Sequence, residues 1–80
     1  MPRLKVLSGE NLIKIFESFN FVILSQKGSH VKLRRIINSR HQTLTIPNHT
    51  EIDKGTLKAI FNQASKYISE TELIPHFYSK

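Results

Sequence analysis

Cysteine and tryptophan are absent from this chain of 80 residues, glycine and proline occur three times each, and acidic residues number six. Without cysteine there can be no disulfide framework and no cysteine-rich zinc site, which fits a reducing compartment. Long apolar runs are missing too. The longest is Phe21-Val22-Ile23-Leu24, far short of the roughly 20 residues a membrane helix requires. Near the start, Lys14 interrupts the apolar residues before a signal-peptide core is reached. These absences lead to the expectation of a soluble, cytoplasmic protein with no membrane role. No aromatic row reads as a stacking platform for single strands, because Phe16, Phe19 and Phe61 fall at core spacing.

What is present is positive charge. Twelve Lys and Arg against six Asp and Glu give a net charge of +6 at pH 7. Such an excess favours a polyanionic partner: nucleic acid, an anionic membrane surface or an acidic protein. A membrane-surface role is the least favoured, because the cations are not gathered on one basic amphipathic helix. Hydrophobic residues at 39% and charged residues at 22% suit a folded globule, and the length allows residues 1–80 to form one small domain.

The apolar periodicity divides the chain. Leu12, Ile15, Phe16 and Phe19 recur at three- and four-residue spacing, which predicts an amphipathic helix over 9–19, with Ser8 as its N-cap and Asn20 as a left-handed terminator. Residues 21–25 are β-branched and aromatic and read as a strand. Lys27-Gly28-Ser29 reads as a hairpin turn. A second strand over 30–38 alternates, with Val31 and Leu33 on one face and His30, Lys32 and Arg34 on the other. Residues 38–41 make a second turn, and 42–47 a third strand ended by Pro47. Asp53 is an expected N-cap, rather than an acid, for a second helix over 54–67. Ser69 begins a capping box for one more short turn within 69–80, with Pro75 breaking it soon afterwards. The expected fold class is α+β: a two-layer α-β-β-β-α arrangement with a three-stranded antiparallel sheet and both helices on one face. This is the topology of double-stranded-RNA-binding domains.

The stretch Gln26 to Leu33 concentrates the chemistry. His30 opens a strand directly behind a glycine turn, with Lys27 before it and Lys32 and Arg34 at alternate positions after it. Histidine exchanges a proton near neutral pH, and RNA carries its own nucleophile in the 2′-hydroxyl. A ribonuclease therefore needs no metal if a base lies near that hydroxyl and positive charge near the phosphate. From composition alone, however, His30 reads more readily as a surface histidine at a hairpin end. Ser29 either orients His30, bonds a phosphate or simply forms the turn, and Gly28 is there for backbone geometry. Lys54 and Lys58 stand one helical turn apart at a helix start that attracts phosphate, with Gly55 allowing close approach. Arg34, Arg35 and Arg40 are expected to widen the electrostatic footprint. His49 invites a two-histidine mechanism, but bonding within its loop is the simpler reading. His41 and His76 read as surface residues. The histidine spacing supports no metal site and nothing implies a cofactor.

With these segments laid out, the sequence resembles the HicA family of messenger-RNA-cleaving toxins from bacterial toxin–antitoxin pairs. The resemblance spans residues 7–68 and rests on four stretches in order: Leu7-Ser8-Gly9, Gln26 to His30, Ile46-Pro47-Asn48-His49 and Lys54 to Ile60. It implies a fold like a double-stranded-RNA-binding domain, with His30 as the catalytic residue. It also implies mRNA as substrate; the residues expected to bind that RNA, from their charge and placement, are Lys27, Gly28, Ser29, Lys32, Arg34, Lys54 and Lys58. A HicB-type protein antitoxin would mask the active surface of a toxin that is monomeric when free. Asn20 and Ser65 stand where the family pattern has glycine near the ends of the helices. The alternatives are a non-catalytic double-stranded-RNA-binding module and a protein whose basic face serves an acidic partner alone.

Overall fold

The computed structural model describes residues 2–79 and begins with a short strand, β1 (Arg3–Leu4), followed by α1 (Gly9–Ser18). Three strands form an antiparallel meander: β2 (Val22–Lys27), β3 (His30–Ile37) and β4 (Arg40–Pro47), with β3 central. Two helices, α2 (Lys54–Ala64) and α3 (Glu70–Phe77), precede β5 (Tyr78–Ser79), which pairs with β1 as a separate two-stranded ribbon. The architecture is α+β, as expected, with the ribbon and a full third helix added. Among the described residues, no helix is long and apolar enough to cross a membrane.

Local chemistry fixes both ends of α1. Ser8 Oγ accepts from the Asn11 backbone N–H at 3.0 Å and Asn11 Oδ1 accepts from the Ser8 N–H at 3.0 Å, a reciprocal capping box. At the other end Asn20 has φ 73°, so the chain reverses with Asn20 N–H donating to Glu17 O and Phe21 N–H to Phe16 O. The hydrophobic contact that accompanies this kind of stop is Phe16 against Phe21, ring centroids 5.9 Å apart. Asparagine thus takes the left-handed position that glycine would otherwise fill. Ser65, at φ −67°, follows α2 in the ordinary helical region and has no need of glycine. There α2 stops at Ala64, three residues earlier than its periodicity predicts.

The face of β3 bearing Val31 and Leu33 is buried together with Leu44 and Ile46 of β4, and Leu12, Phe16, Leu57 and Phe61 of the helices close over it. Both α1 and α2 pack on β4. The helical layer therefore leaves β2 uncovered, and every residue of that edge strand is exposed, with Val22 at 61%. This departs from the expectation of a covered face along the whole meander. A bulge between Ile23 and Ser25 interrupts the β2–β3 ladder, a distortion that makes an edge harder to extend.

Three further expectations are corrected. Pro75 does not end the last helix, which runs on to Phe77. Proline inside a helix costs roughly 3 kcal/mol, but burying Leu73 and Phe77 returns about 1.5–3 kcal/mol each. The Pro75 carbonyl also accepts from Lys5 Nζ at 2.9 Å. Nor does Arg35 belong to a solvent-facing footprint. It points to the helix side of the sheet, where Nη1 donates to Phe19 O at 2.8 Å, Nη2 to Tyr67 O at 2.9 Å and Nε to Gln42 Oε1 at 2.6 Å. Its Cζ lies 4.9 Å from the Phe21 ring centroid. One planar fork thus ties the ends of two helical segments to the sheet. His76, expected on the surface, is half-buried and meets Phe19 edge-on at 5.4 Å.

Candidate functional site

The β2–β3 connection is a two-residue loop in which Gly28 has φ +60° and Lys27 pairs with His30. A positive φ at the first loop residue is the backbone that glycine adopts without strain and that matches the twist of the flanking strands. Gln26 Nε2 donates to Gly28 O at 3.1 Å, bracing the turn from its own strand. The loop is tied to a second element as well, because Asn48 N–H donates to Ser29 O at 2.6 Å. Asn48 is in turn pressed against α1. A Cβ built on Gly9 would meet the Pro47 carbonyl and lie 2.5 Å from Asn48 Cα, so only glycine fits there. Gly9 N–H donates to His49 O at 2.8 Å and Ile52 N–H to Leu7 O at 2.8 Å, closing the helix start onto the loop after β4.

His30 is the first residue of β3, exposed, and stands between Lys27 of β2 and Pro47 of β4 in register. Residues directly opposite in antiparallel strands share a face, so Lys27, His30 and Pro47 are together on the side away from the helices. Lys32 and Arg34 continue that file along β3, across from Thr45 and Thr43 of β4. Each is about 6.6 Å further along the strand. The face left open by the helices thus begins with a histidine and proceeds through cations. Lys27 and Lys32 are exposed, and Arg34 is half-buried.

The remaining site candidates belong to the loop after β4 and to α2. Lys54 and Lys58 are exposed on the first turns of α2, below the N-cap Asp53. The Thr56 hydroxyl donates to Asp53 Oδ1 at 2.7 Å and the Thr56 N–H to Oδ2 at 3.0 Å, and these bonds hold the carboxyl below the ordinary carboxylate range. Asp53 is therefore occupied as a cap. A Cβ on Gly55 would meet only Asp53 Oδ2, at 3.4 Å, so packing within the protein does not require that glycine. His49 lines a shallow hollow with Ser8, Glu10, Asn48 and Thr50. Among the described residues no group of three or more His, Asp or Glu is placed to hold a metal ion. Sequence reasoning passed over Asn48 and Gly9 as positioning residues and gave no role to Arg3 and Lys5 of the N-terminal ribbon. The ribbon pairs Arg3 with Ser79 and Leu4 with Tyr78, from opposite ends of the chain, and neither two-residue strand has a periodicity of its own to reveal it.

A small basic α+β domain, with a three-stranded sheet open on one face and a histidine at a hairpin tip, is consistent with the architecture of double-stranded-RNA-binding domains. Residues 9–65 match the family model described as the HicA toxin of bacterial toxin–antitoxin systems, and the chain belongs to that family. The match takes in the glycine turn, His30 and the start of α2. No match was found among curated proteins or among solved structures.

Proposed function

We propose that this toxin is a metal-independent endoribonuclease that cleaves messenger RNA with His30 and is inhibited by a HicB-type antitoxin. The observation that carries the reading is the placement of His30: exposed at the tip of a braced hairpin, with Lys27 across from it and Lys32 and Arg34 following on the same face. Family membership supports the toxin role and the existence of an antitoxin partner.

In the proposed step His30 takes the proton from a ribose 2′-hydroxyl. The 2′-oxygen then forms a bond to the adjacent phosphorus, and the bond from phosphorus to the 5′-oxygen of the next nucleotide breaks. That oxygen leaves with a proton from water, giving a 2′,3′-cyclic phosphate and a 5′-hydroxyl. Lys27 and Lys32 offset the charge that grows on the phosphoryl oxygens, while Gly28 and Ser29 set the backbone that carries His30. Arg34, Lys54 and Lys58 hold neighbouring phosphates.

The test is induced expression in bacteria of the parent chain and of His30→Ala, following growth and messenger-RNA integrity together. Growth arrest with RNA loss from the parent alone is the expected result. RNA that stays intact with both folded chains in the absence of antitoxin would move the assignment to a non-catalytic RNA-binding module.

A further inference from the structure

The ribbon of β1 and β5 is built from residues outside the matched stretch 9–65, and it lies beside the start of α2. Between them runs an open groove of about 950 Å³. Its lining among the described residues includes four cations, Arg3 and Lys5 from the ribbon side and Lys54 and Lys58 from the helix, and no acidic residue. Arg3, Lys54 and Lys58 are exposed, while Lys5 is half-buried with its ammonium on the Pro75 carbonyl. The nearest acidic residue in sequence, Asp53, is committed to Thr56. Four like charges gathered on concave walls repel one another and focus a positive potential, which a polyanion relieves. Lys54 and Lys58 are about 6 Å apart along the helix axis, and Arg3 and Lys5 alternate along an extended segment. Arg3 on one wall and Lys54 and Lys58 on the other therefore border one channel, while Lys5 lines it with its ammonium held on the Pro75 carbonyl. Exposed cations on both walls suit a continuous phosphodiester backbone passing between them.

We infer that this groove extends the RNA-binding surface, with Arg3 joining Lys54 and Lys58 across the channel in holding the phosphodiester backbone of the RNA strand. The site is sequence-independent, because cations on phosphate carry no base information. It rests on the reading of RNA as substrate and not on the assignment of His30 as the base. Its contribution is to lengthen the footprint beyond the strand file at His30, using Arg3, which lies outside the matched stretch 9–65.

The experiment measures binding of a short, fluorescently labelled single-stranded RNA of mixed sequence across a salt series, in the His30→Ala chain so that the probe stays whole. Arg3→Gln is expected to weaken binding and to lower the slope of log K against log salt by about 0.7, the value for one phosphate contact on a single strand. Lys58→Gln, on the opposite wall, gives the same loss, and Arg3→Lys restores the slope. Both side chains are exposed, and melting curves verify that each variant is folded. An unchanged affinity and slope in Arg3→Gln overturns the inference. Cleavage that persists in the His30→Ala chain would instead overturn the catalytic reading. The groove would then be judged by the same slopes on RNA whose ribose 2′-hydroxyls are replaced by hydrogen.

Discussion

Gly9 and Asn48 are packed so closely that a Cβ on Gly9 would lie 2.5 Å from the Asn48 Cα. The contact joins the first residue of α1 to the loop that leaves β4, and that loop donates from Asn48 N to Ser29 O. Ser29 is the residue before His30. The histidine at the hairpin tip is thus tied through two backbone contacts to a helix start, and among the described residues no side chain hydrogen-bonds to it.

Gly9→Ala is therefore expected to destabilise the fold by about 1–3 kcal/mol, the usual cost of forcing a methyl group into a filled space. The atoms in its way are backbone, which cannot swing aside as a side chain can. Chemical denaturation measures the loss. A midpoint equal to that of the parent would show that the helix and loop are free to separate.

Arg35→Lys keeps the charge and removes the fork. If Arg35 acted as part of an electrostatic surface, lysine would replace it at little cost. Bonded to Phe19 O, Tyr67 O and Gln42 Oε1, it should not be replaceable: a lysine can point at only part of this set. The expected loss is about 2–4 kcal/mol, from charged hydrogen bonds broken and carbonyls left unpaired. Thermal unfolding of the Lys variant against the parent decides it, and equal stability would return Arg35 to the surface footprint.

The cap at Asp53 makes a prediction about acid. Its carboxyl is held below the ordinary range by the Thr56 hydroxyl and then by the Thr56 N–H. A group whose folded pKa is depressed contributes stability above its unfolded pKa and loses it as pH falls through the folded value. Asp53→Asn can still cap but cannot ionise. Parent and variant should differ in unfolding midpoint near neutral pH and converge on acidification. A difference that is the same at every pH would mean that the charge contributes nothing.

Much of the architecture was legible in local patterns. The Leu12–Phe16 spacing, the Ser8 and Asp53 caps, the Gly28 turn and the Val31–Leu33 alternation each depend on interactions within a few residues of sequence, and each is found where the pattern predicts it. The resemblance that led to His30 was legible for a similar reason, since its motif is a contiguous turn. Arg35 was not. A lone arginine in a basic strand carries no mark of which way it faces once the alternation blurs at Arg35-Ile36-Ile37. Pro75 misled because its local penalty is real, and the burial of Phe77 that outweighs it depends on Phe16 and Phe61, far away in sequence.

By itself, then, the sequence determined the first two helices, the meander and the histidine behind a glycine turn, because capping, turn geometry and periodicity are short-range effects. Only the tertiary structure decided that β2 stays uncovered, that Arg35 clamps the helix ends and that the two termini pair into a ribbon beside Lys54 and Lys58. Those outcomes depend on which surfaces meet when the layers pack. A choice between segments far apart in the chain leaves no periodic trace in either of them.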